Sequence, residues 1–275
     1  MSTKLKFFVL SAAATMTIGL AHNATAQSGS EPVSIIKSKA IDATESHIEE
    51  SSRSWLGYVF DKAEIDVEFS NGKPEFELGV LKAYDHNNEN SFLFNQIGVN
   101  GYDQRTTLNI GLGYRTLNKD NTWMGGTNFF YDHEFPNDHK RTSVGVELIS
   151  SAMQLRANKY NGLTGFITDR SGTDSKALDG NDVSFKMALP YLPGAFFEYS
   201  KYKWEALEDA KDAEGKRYSL GGNLSDNLSI NFVRTDYDDA SKDDINRVQL
   251  TYSWNFGSVS NKPTFFEIGD KAYKL

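Results

Sequence analysis

The chain has 275 residues, 39% of them hydrophobic and 13% aromatic, with a formal net charge of −8 and no cysteine. The acidic balance argues against nucleic acid as a partner, since phosphate neutralisation needs clustered Lys and Arg, and the lack of cysteine excludes disulfide frameworks, thiolate catalysis and Cys-ligated metals. The hydrophobic share lies below the ~45–50% usual for globular chains, yet 18 Phe, 13 Tyr, 4 Trp and 22 Gly are not the profile of disorder.

The N-terminus sets the compartment. Lys4 and Lys6 precede a charge-free run from Phe7 to Ala21, and Ala24-Thr25-Ala26 presents small residues where a signal peptidase reads them. Residues 1–26 therefore read as a signal peptide cleaved after Ala26. In residues 27–63, Ile41, Ile48, Trp55 and Val59 fall on one helical face, which predicts a short periplasmic helix leading into the first strand. Beyond the signal no run of ~18 apolar residues exists to make a transmembrane helix.

Strict alternation begins after that. Leu108, Ile110, Leu112 and Tyr114 interleave with Asn109, Gly111, Gly113 and Arg115, giving one apolar strand face and one small or polar face. Val144, Val146 and Leu148 repeat it, then Leu155 and Ala157, then Val183, Phe185 and Met187, then Leu228, Ile230 and Phe232, and last Val248, Leu250, Tyr252, Trp254 and Phe256. A sandwich and a membrane barrel both produce such alternation, and strand and loop lengths separate them. Twelve strands are predicted, at 64–69, 75–84, 91–101, 106–117, 121–132, 141–150, 152–164, 181–190, 194–204, 216–224, 227–236 and 245–256. Most approach the ~10 residues of a tilted bilayer crossing, against the ~5–6 usual in soluble sheets.

The links after the sixth, eighth and tenth strands are tight, whereas those after the seventh, ninth and eleventh, Asp169 to Asn181, Glu205 to Gly215 and Tyr237 to Asp244, are long and charged. Short turns on one rim and long loops on the other are the pattern of an outer-membrane barrel, and an even strand number returns both ends to the periplasm. Tyr102, Tyr114, Trp123, Phe129, Tyr131, Tyr160, Tyr191, Tyr199, Trp204, Tyr237 and Trp254 lie mainly near strand ends, where ring and polar tip suit the membrane interface. The fold class is all-β: a twelve-stranded antiparallel transmembrane β-barrel over 64–256, closed so that no strand edge meets lipid.

The stretch GLGYRTLNKDNTWMGGTNFFYDHEFPNDHKRTSVGVELISSAMQLRANKYNGLTGF, residues 111–166, resembles the β-domain of the intimin and invasin family, the inverse autotransporters. Gly111, Gly113, Tyr114 and Arg115 match the family's glycine-rich strand, and Trp123, Gly126, Asn128, Phe130, Tyr131 and Asp132 the next. Arg141, Gly145 and Glu147, then Leu155, Asn158 and Tyr160, continue it. The resemblance implies a twelve-stranded outer-membrane barrel whose C-terminal segment threads back through the pore to display an adhesive passenger at the cell surface. Independently of the family, alternation turns Arg115, Asn128, Glu147, Arg156 and Asn158 inward to line a small polar lumen. Gly111, Gly113, Gly126 and Gly145 either leave room there for a passing chain or let bent strands close the barrel.

The strand Val248–Phe256 carries Tyr252, Trp254 and Phe256 on one face and ends in Phe, which resembles the C-terminal signal read by the barrel-assembly machinery. Residues 257–275 read as a pore thread or a truncated linker, and no tandem β-sandwich passenger follows them. Asp132, His133, Asp138 and His139 gather near one outer hairpin, but their spacing fits no zinc-hydrolase motif. The acidic loop EALEDAKDAEGK, which has the charge to attract Ca²⁺, reads as a solvated face. No catalytic residue, metal or cofactor is expected. Expected partners are outer-membrane lipid, the assembly machinery with periplasmic chaperones, and a passenger or host-surface receptor, with no nucleic acid. The functional expectation is an inverse-autotransporter translocator and anchor supporting adhesion; the alternative is a stand-alone outer-membrane pore or structural barrel without a passenger.

Overall fold

The computed structural model describes residues 58–255 apart from 70–74, 86–89, 103–104, 121, 169–171, 173, 193, 206–211 and 240–241. Its strands are β1 Lys62–Phe69, β2 Glu75–Asp85, β3 Ser91–Tyr102, β4 Arg105–Leu117, β5 Trp123–Phe135, β6 Lys140–Ser150, β7 Met153–Gly162, β8 Ile167–Thr168, β9 Asp174–Ser175, β10 Gly180–Ala188, β11 Ala195–Trp204, β12 Ala213–Asn223, β13 Leu228–Tyr237 and β14 Ile245–Asn255. All but β8 and β9 form one closed antiparallel barrel of twelve strands. Each strand pairs with its sequence neighbour, β7 pairs with β10, and β1 closes on β14 in the register Glu64↔Ser253 and Asp66↔Thr251.

Alternation decides which side chains face out. On β4 to β7 the row of Ile110, Leu112, Tyr114, Phe129, Val144, Val146, Leu148 and Leu155 stands exposed on the outer surface, as it must if its solvent is hydrocarbon. The opposite row of the same strands, among it Asn109, Arg115, Asn128, Glu147 and Asn158, lines the interior. Closure satisfies the ladder hydrogen bonds of every barrel strand, the condition for irregularity-free passage through lipid.

The tight turns share a rim with the two ends of the barrel. Between β6 and β7 the Ser150 hydroxyl accepts from the Ala152 and Met153 amides at 3.3 and 3.1 Å. Between β4 and β5 the Asn118 side-chain oxygen accepts from the amides of Thr122 and Trp123. At the other rim the long connections follow β7, β11 and β13, while β3 and β4 are joined there across 103–104 alone, so the sorting of loops by rim belongs to the second half of the chain.

Strand limits agree with the sequence expectation to within three residues. The ribbon β8–β9 inside the long loop after β7 is an addition: two-residue strands carry no period to read, and Thr168 donating to Asp174 at 2.6 Å helps to pin it. The aromatic expectation needs correction. Tyr160 and Trp204 do not sit at the lipid interface; they face each other inside the barrel with ring centroids 5.0 Å apart, because both share the parity of the polar row. The helix expected before the first strand, apart from its end at Val59, lies outside the described residues.

Candidate functional site: the barrel lumen

The interior holds a cavity of about 740 Å³ bounded by β1 to β7. Its contents are stacked by polarity. At the tight-turn end Phe92, Phe94, Leu117, Met124 and Ile149 pack into a buried apolar cluster against Leu81 and Ala83, all pointing inward. Apolar residues occupy lumenal positions here, so this end of the lumen is a packed floor along β2 to β6.

An ionic layer rests on that floor. The Arg115 Nε donates to Glu147 at 2.5 Å and a terminal nitrogen donates to its second oxygen at 3.3 Å, while Arg156 approaches the same carboxylate at 3.4 Å. The Glu147 side chain is only 4% exposed and that of Arg115 10%, so the pair is desolvated and depends on its own contacts. The guanidinium of Arg115 also lies 4.5 Å above the Phe94 ring, joining the ionic layer to the apolar one.

A second layer lies nearer the long-loop rim. Arg141 donates twice to one oxygen of Asp132, at 2.9 and 2.8 Å, and Asn109 donates to the other. The Arg141 guanidinium stacks on Tyr160 at 4.7 Å and on Trp204 at 5.0 Å. The Tyr160 hydroxyl donates to Asp182 at 2.6 Å, and the Asn158 amide donates to the same carboxylate at 3.1 Å. Within β1 Lys62 pairs with Glu64 at 2.5 Å, and across the closing seam Asp66 accepts from Thr251 and Gln249 and Arg247 pairs with Glu68 at 3.0 Å. On β4 to β7 the lumenal arginines are paired with carboxylates of the same wall, whereas on β1 and β2 carboxylates outnumber cations.

The space above the glycines is already used. A Cβ on Gly111 would lie 2.0 Å from the Phe130 ring, one on Gly113 2.2 Å from that of Phe94, one on Gly126 2.5 Å from Glu147, and one on Gly145 2.3 Å from Asn158. These glycines therefore make room for neighbouring lumenal side chains, and the reading that they hold open a passage falls. Gly113→Ala is expected to lower stability by about 1–3 kcal/mol through forced displacement of Phe94. Chemical denaturation of the vesicle-inserted barrel would show it, with recovery in the Gly113→Ala, Phe94→Leu double variant.

Arg115, Asn128, Glu147, Arg156 and Asn158 all border this one cavity. Tyr252 and Trp254 lie on β14, two residues apart on one face, with ring centroids 4.6 Å apart; Phe256 lies outside the described residues. Sequence reasoning missed Arg141, Asp182 and Trp204 as lumenal residues, although Arg141 shares the parity of Ser143, Gly145 and Glu147 on β6. The hairpin histidines diverge. Asp132 points inward to Arg141, whereas His133 meets Asp138 at 2.5 Å and stacks on Phe135 at 4.2 Å, and His139 meets the Ser175 hydroxyl at 2.8 Å. Hydrogen bonds from Lys140 and His133 hold the exposed Asp138 carboxyl below its ordinary range. Among the described residues no group of three His, Cys, Asp or Glu side chains is placed to hold a metal. Half of the acidic loop, 206–211, lies outside the described residues, and its Asp212 pairs with Lys203 at 2.5 Å.

A family model described as inverse autotransporter, β-domain, matches residues 13–264. The chain belongs to the inverse autotransporter β-domain family. Invasin of Yersinia enterocolitica is 32% identical over 161 residues, which are 56% of this chain and 19% of invasin. The inverse autotransporter adhesin YeeJ of Escherichia coli K12 is 27% identical over 207 residues, 72% of this chain and 9% of YeeJ. The chain thus matches less than a fifth of the length of either relative. A solved structure from work on in-meso crystallization of membrane proteins shares the fold with a TM-score of 0.66 at 19% identity, covering 74% of this chain and 87% of that one. As an inverse autotransporter β-domain the barrel resides in the outer membrane of the Gram-negative envelope, and its family is one of adhesin-bearing barrels.

Proposed function

We propose that this barrel is the membrane anchor and export conduit for a polypeptide segment that follows β14, holding it at the cell surface for adhesion. The observation that carries the reading is the lumen itself. Its walls carry fixed ion pairs and polar side chains and its floor along β2 to β6 is packed apolar side chains, which suits an extended chain lying against fixed polar partners better than free solute flow. Both barrel ends lie on the tight-turn rim, the periplasmic one in such barrels, so a segment leaving β14 starts beneath the lumen. The same reading assigns residues 1–26 to a cleaved signal and residues 257–275 to the threading segment, and makes Tyr252, Trp254 and Phe256 the strand recognised by the assembly machinery. Passenger and host receptor are then partners of whatever the thread carries.

An epitope fused after Leu275 tests this. In intact cells the epitope is expected to be reached by antibody and by added protease, with the barrel still heat-modifiable. Labelling only after the outer membrane has been permeabilised would place the segment in the periplasm and overturn the reading.

A further inference from the structure

The outer surface changes character near the long-loop rim on one side of the barrel. On β7, β11 and β12 the outward row ends in lysines: Lys159, Lys201, Lys203 and Lys216. Their facing follows from parity, since Leu155, Val183 and Leu220 of the same rows are exposed on the outside while Arg156, Asn158 and Tyr160 line the cavity. Register sets Lys159 opposite Asn181 and Asn181 opposite Lys203, and puts Lys201 directly opposite Lys216. Lys203 is neutralised by Asp212 and Glu214 at 2.5 and 3.0 Å, and Lys216 reaches Asp238 at 3.3 Å. Lys159 and Lys201 are exposed and, among the described residues, have no acidic partner.

Height gives this patch its meaning. One pleat deeper than Lys201 and Lys216, the Tyr199 and Tyr218 rings pair at 5.4 Å, and one pleat deeper again Phe197 faces Leu220. Hydrocarbon-type side chains, then tyrosines, then cations is the order of acyl core, interface and headgroup. Two lysines directly opposite on a sheet repel each other, and an anion between them reverses the sign of that contribution.

We propose that this lysine row is a docking surface for the phosphorylated headgroup of an outer-leaflet glycolipid. Lys159 and Lys201, which lies one pleat deeper, grip the phosphate from either side, and the exposed Asn181 amide, directly opposite Lys159, donates to it. Two strand spacings across and two residues along the strand separate Lys159 from Lys201, roughly 12 Å in all, a gap that two flexible lysine stems lying along apolar surface can close. The outward row beside it, Val183 and Leu155, receives the acyl chains.

The test uses the full chain in phosphatidylcholine nanodiscs, titrated with bisphosphorylated lipid A. The Lys159→Gln, Lys201→Gln double variant is expected to bind roughly thirtyfold more weakly, with heat-modifiable mobility unchanged. The corresponding double Arg variant should bind as the natural protein does. Dephosphorylated lipid should bind both proteins at the weak level. Unchanged affinity in the Gln variant, equal binding of phosphorylated and dephosphorylated lipid, or displacement of the lipid by inorganic phosphate would each overturn the proposal, the last by making the site one for a free ion.

Discussion

Glu147→Ala is expected to destabilise the barrel by about 3–5 kcal/mol, the range for removing one partner of a buried ion pair. The loss is large because of what remains. Arg115 sits under the cavity with its side chain 10% exposed, against the Phe94 ring and above the apolar floor, and Glu147 is the carboxylate that compensates it. Arg156 loses the same partner. Urea unfolding from lipid vesicles, followed by tryptophan fluorescence, measures the change. An Arg115→Met, Glu147→Leu double variant should recover most of it, since an apolar pair of similar volume needs no compensation. A loss below about 1 kcal/mol would mean that the pair behaves as a solvated one.

The barrel was legible in the sequence because lipid on one side and a polar interior on the other impose a period of two over many residues. Twelve strands, their order along the chain and the outward row through Ile110, Val144 and Leu155 follow from that period together with the strand and loop lengths. What escaped has physical reasons. A two-residue ribbon such as β8–β9 has no period. Lumenal aromatics such as Tyr160 and Trp204 look like interface residues because both lie near strand ends, and only their parity, shared with Asn158 and Asp182, sends them inward. The glycines at 111, 113, 126 and 145 show that small residues in a lumenal row need not mean open space: a neighbouring strand can fill the gap, as Phe130 does over Gly111. The apolar floor was hidden for a related reason. Phe92, Phe94 and Met124 occupy the inward row, where the sequence pattern predicts polar side chains, and their partners come from the neighbouring strands β2, β4 and β6. Loop histidines stood out in the sequence as candidate chemistry, yet β5 turns Asp132 inward and leaves His133 outward, so adjacency in sequence became separation in space.

The central claim is that one face of these strands meets lipid and the other a polar lumen. Ile110 and Asn109 are neighbours on β4 and test it as a pair. Ile110 stands 45% exposed on the outer surface beside Ile97 and Tyr131, near the middle of its strand. An arginine there would be held in hydrocarbon, and Ile110→Arg is expected to cost about 2–4 kcal/mol. Asn109 points the other way and donates to Asp132 inside the cavity. Asn109→Arg keeps its charge among polar groups and beside a carboxylate, so its effect should be much smaller. The decisive measurement is the stability of the two variants in bilayer vesicles, read as heat-modifiable gel mobility against urea concentration. The midpoint should fall sharply for Ile110→Arg and little for Asn109→Arg. Equal shifts, or a larger shift for Asn109→Arg, would contradict the assigned facing and the membrane-spanning barrel with it.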